Sequence, residues 1–458
     1  MAEVRFILKG ESQETTFTPG RDKHQNILLY AKTIDGKEVT FPLKIEDGIL
    51  RLPGENPFEE DKAIVNERLL GLSQEWMDNV NSGVENDSDE DYLPATKPGY
   101  SPDDIFVDTR SFPIPELIRF INDGDIEISP NFQRRFVWDN TRQSRLIESI
   151  FLGLPLPSIY LSQYQDGHLA IVDGLQRLRT IKNFNDNKLR LNNLEYLTEC
   201  NGHTYKELEE KKILSPLRLR KFKFTQIMGF VIDYRSPSAL KFDLFRRLNT
   251  GGKPLNRQEI RNCLSRTRLQ NALKKMTSSN AFFMATDYSI DDTRMAAQEL
   301  ALRFIYFYDQ YSDNNPIGNY SGRMDDELDN YIDYLNGMDN FELYIEQFNK
   351  GMECAYNLFG EYSFRKIMPG YRNKRRTAIN KLLFTTTSVL LARHYSDYAP
   401  KIALIGNNDL SVADKLAQLI DEDKDYVLFS VLTWNTNAKE NFKEVYAAMK
   451  YFFDQHLL

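Results

Sequence analysis

The chain has 458 residues, 41% hydrophobic and 12% aromatic, too many for one ordinary core and too apolar for wholesale disorder. Its formal net charge of −8 excludes a protein that coats nucleic acid over its whole surface, but not one with a local basic groove. Cys200, Cys263 and Cys354 lie far apart with no CxxC spacing, and read as reduced, buried thiols of a cytosolic protein.

The opening MAEVRFILKGESQ lacks the apolar core of a signal peptide. No window holds the roughly eighteen consecutive apolar residues that a spanning helix needs. The expectation is a cytoplasmic protein without a membrane partner.

Residues 1–80 read as a small β module of four strands with a short helix at its end. VRFILKG, NILLYAKTI, KEVTFPLKI and ILRLP carry the β-branched and aromatic residues. Asp35-Gly36 and Asp47-Gly48 mark the turns between the later strands. Ile64, Leu69, Leu70, Leu72 and Trp76 are the apolar residues of the helix. Residues 81–104, NSGVENDSDEDYLPATKPGYSPDD, are acidic, rich in Ser, Pro and Gly and nearly free of aliphatics, the composition of a linker.

From 105 to 263 short strands and helices interleave as an α+β core. FPIPELIRFINDGDI predicts a helix ending at Asp123-Gly124, and EISPNFQRRFVW an extended segment broken by Pro130. Asp139 or Asn140 caps the next helix, with Leu146, Ile147, Ile150 and Phe151 inward and Gly153 as its stop. SIYLSQY and HLAIVD, joined by QDG, form a hairpin that runs into IVDGLQRLRTIKNF. There a strand, a tight turn and a helix follow one another. Near its end the core carries Asn249-Thr250-Gly251-Gly252, and Asn256 with Glu259 three residues on makes a capping box. Residues 264–458 are a mostly helical domain, with FIYFYDQY as a core-facing stretch and His394 a packed or surface histidine.

The turn at 173–177 places an acid, a glycine, an amide and a guanidinium at the start of a helix. Either it is a capped helix with a surface arginine, or it is a phosphate site. In the second case Asp173 holds a divalent metal, Gly174 lets a ligand approach exposed N–H groups, Gln176 orients a water or a base edge, and Arg177 forks onto phosphate oxygens. Two basic runs, RLRKFKF (Arg218, Arg220, Lys221) and YRNKRRTAINK (Arg372, Lys374, Arg375), are either solvated faces or tracks for a DNA backbone. No P-loop, GxSxG elbow, HExxH or dinucleotide fingerprint is present.

Four motifs then follow in order: NFQRRFVW at 131–138, LPLPSIYL at 154–161, IVDGLQRLRTI at 171–181 and FRRLNTGGKPLNRQEIRN at 245–262. Together they resemble the N-terminal domain of GmrSD-type modification-dependent restriction systems, over roughly 105–400. The resemblance implies a ParB/sulfiredoxin-like core, a role in phage defence, and binding and hydrolysis of a nucleoside triphosphate with Mg²⁺. It carries Gln133 and Arg134 over as a second wall of the phosphate pocket, and Asn249, Gly251 and Gly252 as nucleotide contacts. DNA and a separate defence effector are the implied partners. Leu175 departs from the family's DGQQR signature. His24, His168, His203, His394 and His456 form no His-Asn-His pattern, so the nuclease of the family's second domain is not carried over. Three readings stay open: a non-Walker triphosphatase, a nucleotide- or DNA-binding module without turnover, and a DNA nickase.

Overall fold

The computed structural model describes residues 4–21, 26–32, 37–46, 49–85, 101–127, 138–248, 255–374, 376–405, 410–422 and 427–457. The chain is α+β, with a small N-terminal sheet, a mixed central sheet and a helical C-terminal half. It divides into two compact units, one of Met1–Thr96 with Asn271–Tyr331 and Met338–Leu458, the other of Lys97–Gln270 with Ile332–Gly337.

In the first unit, β1 (Val4–Ile7), β2 (Glu14–Arg21), β3 (Ile27–Lys32), β4 (Glu38–Glu46) and β5 (Ile49–Arg51) pair in chain order, each antiparallel to the next. The sheet has five strands rather than the four expected. The missed strand is β2, where Pro19-Gly20 reads as a chain breaker. Both residues stay in the ladder, opposite Leu29 and Leu28. Gly20 lies under the Trp434 ring, which leaves no room for a Cβ, and Trp434 also stacks on Tyr30 at 4.3 Å. Helix α1 (Lys62–Ser82) covers the sheet with Val65, Leu69 and Leu72, whereas Ile64 and Leu70 face solvent. The apolar residues of α1 are thus split between two faces. The acidic stretch lies largely outside the described residues. At its start, Glu85 N–H donates to Ile379 O at 2.7 Å and its carboxylate meets Lys366 at 3.1 Å. Further along, helix Ala296–Gln310 (AAQELALRFIYFYDQ) is buried almost throughout, as expected of a core helix. His394 is packed, its Nε2 2.9 Å from the Tyr311 hydroxyl.

The second unit is built on a mixed sheet in the order β6-β10-β8-β9-β7. In chain order it holds β6 (Val107–Pro113), α2 (Ile114–Asp123), β7 (Ile126–Glu127), α3 (Asn140–Leu152), β8 (Ile159–Gln163), β9 (Leu169–Asp173), α4 (Leu175–Asn185), α5 (Tyr205–Glu210), α6 (Pro216–Phe224), β10 (Gln226–Ile232), α7 (Ser238–Leu248) and α8 (Arg257–Leu264). The local signals hold. Asp139 caps α3 by accepting from Arg142 N–H at 2.7 Å, Gly153 stops it in the left-handed region, and Asn256 and Glu259 form the capping box of α8. One core gathers Ile147, Ile150 and Phe151 from α3, Leu178, Ile181 and Phe184 from α4, and Leu219 and Phe222 from α6 against Ile159, Leu161 and Ile171. Phe151, Phe184 and Phe222 meet pairwise with ring centroids 5.5–6.1 Å apart. Val172 and Ile232 join a smaller cluster with Leu240 of α7 and Ile260 of α8. Cys200, Cys263 and Cys354 are free and buried. No described helix is long and apolar enough to cross a membrane.

Candidate functional site at the head of helix α4

β8 and β9 form the expected hairpin, but its register skips. Tyr160 faces Asp173 while Leu161 faces Ile171, so Val172 is the extra residue of a β-bulge. A bulge bends its strand and re-aims the side chains beside it, here immediately before the turn. Phe230 of β10 stacks on Tyr160 at 5.0 Å.

Gly174 closes the turn at φ +103°, and a Cβ there would lie 2.5 Å from Ile159 Cγ2. Both the backbone conformation and the space demand glycine. Gly174 is also the N-cap of α4, and no side chain caps the helix. Asp173, expected as a possible cap, binds Arg177 instead. Its Oδ2 accepts from Arg177 Nη2 at 2.6 Å, while Arg177 Nη1 donates to the carbonyls of Pro157 and Ser158, the latter at 2.9 Å. Arg177 is only 12% exposed and Asp173 32%. The two side chains thus meet each other directly. The guanidinium ties the proline-rich loop before β8 to the turn after β9, a role that the sequence motif did not reveal. The signal was in LPLP, whose carbonyls have no strand partner to claim them.

Gln176, one position before Arg177, is half-buried, and its backbone carbonyl accepts from the Thr180 hydroxyl at 2.8 Å. Burial holds the Arg179 guanidinium below its ordinary pKa. Helix α8 packs beside β9, and its first turns are buried although polar. Gln258 is 2% exposed, and neither of its amide atoms has a partner among the described residues.

The remaining sequence candidates divide by place. Gln133, Arg134, Asn249, Gly251, Gly252 and Arg375 lie outside the described residues. Arg218, Arg220 and Lys221 are exposed on α6. Arg372 is paired with Asp414 at 2.6 Å, and Lys374 is exposed. For Mg²⁺, no group of three or more His, Cys, Asp or Glu side chains gathers among the described residues. Asp173 alone suits an ion that takes one carboxylate and completes its shell with phosphate oxygens and water. Its Oδ1 has no partner among the described residues.

The sheet, the bulged strand and the glycine-only turn define an α+β domain that presents an uncapped helix start. Residues 115–265, about a third of the chain, match the family described as the GmrSD restriction endonuclease, N-terminal domain. The match takes in all four motifs that suggested the family. No curated protein and no solved structure matches the chain.

Proposed function

We propose that this is a restriction-type defence protein whose central unit binds a nucleoside triphosphate at the Asp173–Arg177 turn and hydrolyses it, passing the nucleotide state to DNA sensing or to a separate effector. The family match of residues 115–265 supports the restriction-type role. The observation that carries the nucleotide reading is Gly174: a turn that only glycine fits, at the start of an eleven-residue helix without a side-chain cap. Such a start directs N–H groups and the positive end of the helix dipole at an anion.

In this reading the phosphates lie against the N–H groups of the turn, and Arg177 acts by holding loop and turn together. Asp173 offers Oδ1 to a Mg²⁺ carried in with the phosphates; when bound, the ion would offset phosphate charge. Gln176 positions the attacking water. Gln133, Arg134, Asn249, Gly251 and Gly252 are nucleotide contacts by the family likeness alone, and the buried amide of Gln258 finds its partner on the ligand. The ParB/sulfiredoxin likeness of the core belongs to the same proposal.

The test is phosphate release from each of the four triphosphates with Mg²⁺, for wild type, Gln176→Ala and Asp173→Asn. Loss of a preorganised contact at developing charge lowers turnover about 10²–10³-fold. Release that falls by this amount in variants that melt like wild type supports hydrolysis. Saturable binding without release favours a binding module. No binding of any triphosphate defeats the reading. Nicking of supercoiled plasmid would instead point to a nuclease.

A further inference from the structure

Helix α6 has two unlike faces. Leu219 and Phe222 are buried, Phe222 against Phe151 and Phe184 in the core of the central unit. On the other side Leu217 is 72% and Phe224 75% exposed, seven residues apart on one stripe, with Arg220 and Lys221 between them. Arg218 stands beside them, also exposed. The stripe is about 10 Å long at the helical rise.

Helix stability does not account for this face. Cations favour the C-terminal turn of a helix, which covers Lys221 and Lys223, but Arg218 is three residues past the Ser215 cap, where a positive charge meets the positive end of the dipole. No acidic residue lies on α6, and no ion pair engages Arg218 or Arg220 among the described residues. An exposed phenylalanine costs solubility and here packs on no other ring among the described residues. Two arginines in no ion pair among the described residues, and a lysine held by the Leu152 carbonyl alone at 3.5 Å, in a chain of net charge −8 and interleaved with a solvent-facing aromatic ring, match a single-stranded nucleic acid: phosphates for the guanidinium and ammonium groups, an unstacked base for the ring. Duplex DNA offers the phosphates but keeps its base faces stacked, and an acidic protein segment offers charge without a planar partner.

We propose that the outer face of α6, centred on Arg218, Arg220, Lys221 and Phe224, binds single-stranded nucleic acid by joint phosphate contact and base stacking. The proposal goes beyond the nucleotide reading and stands without it. The experiment is fluorescence anisotropy of the full chain with labelled dT20, rU20 and a 20-base-pair duplex across a salt series, with polyglutamate as competitor. Phe224→Ala should weaken dT20 or rU20 binding about 5- to 150-fold and leave the salt slope unchanged. Arg218→Ala with Arg220→Ala should lower the slope of log affinity against log salt by about 1.4, two single-strand phosphates' worth. The stronger of the dT20 and rU20 signals says whether DNA or RNA is held. No binding at low salt, binding that neither variant alters, duplex binding indifferent to Phe224, or displacement by polyglutamate as effective as by unlabelled oligonucleotide would each overturn it. All the substituted side chains are exposed, so the variants should melt like wild type.

Discussion

Asp173 and Arg177 are bonded to each other, Oδ2 to Nη2 at 2.6 Å, one turn apart at the start of α4. The pair is not an open clamp. It also carries the Pro157 and Ser158 carbonyls, so removing either member leaves polar groups without partners in a partly buried place. Arg177→Ala should therefore destabilise the chain by about 1–3 kcal/mol, more than an exposed arginine would. Asp173→Ala should cost less, and the two together less than their sum, because the second change breaks a bond already gone. Urea melts of the two singles and the double check this. Strict additivity would show that the pair is incidental.

Gly174→Ala meets two penalties at once, a left-handed backbone and a Cβ 2.5 Å from Ile159. A loss of about 2 kcal/mol or more is expected, with the turn rebuilt. The same change at Gly167, where φ is +93° but nothing lies within 4 Å, should cost only the backbone part. Comparing the two melting temperatures separates conformation from crowding.

Glu148, buried on α3, accepts N–H bonds from Glu195, Tyr196 and Leu197 at 3.2, 2.7 and 2.8 Å. One carboxylate thus supports a whole loop. Glu148→Ala should destabilise by about 1–3 kcal/mol and speed amide exchange at 195–197 selectively, since one buried and two partly buried donors lose their acceptor. Uniform exchange across the unit would argue against a local role.

Asp166 should make stability depend on acid. Burial pushes its pKa up, but the Arg266 hydrogen bond at 2.5 Å and the His168 N–H outweigh that, so the carboxyl falls from 3.8 to about 2. A folded value below the unfolded one stabilises the native state above about pH 4, and the gain fades as pH falls toward 2. The side chain is 43% exposed, so screening keeps the effect at or below about 1 kcal/mol. Asp166→Asn should be the less stable protein at pH 7 and match wild type near pH 2.

Limited proteolysis should cut first within residues 81–104, whose composition cannot repay ordering. The two pieces should nonetheless elute together. Glu85 is tied to Ile379 and Lys366, and Tyr30 stacks on Trp434, within one compact unit. Separation of the pieces on gel filtration, without denaturant, would contradict this.

Much of the local structure was legible in the sequence, because its causes lie within a few residues. The Asp139 cap, the Asn256–Glu259 box, the Gly153 stop and the β8–β9 hairpin each depend on partners no more than thirteen positions apart, and each is where the pattern put it. The glycine turn was equally visible as a place where chemistry could gather.

What only the tertiary structure decided depends on partners far along the chain. Pro19-Gly20 looks like a break until Trp434, more than four hundred residues on, explains the glycine. Arg177 looks like a ligand's partner until the carbonyls of Pro157 and Ser158 claim its guanidinium. Within RLRKFKF nothing local separates Phe222 from Phe224, and packing against Phe151 and Phe184 sends one into the core and leaves the other in solvent. Periodicity and capping are short-range, set by backbone geometry over a turn or a hairpin. Which cation is spent, which aromatic is exposed and which glycine is obligatory are settled by contacts that exist only once distant segments have met.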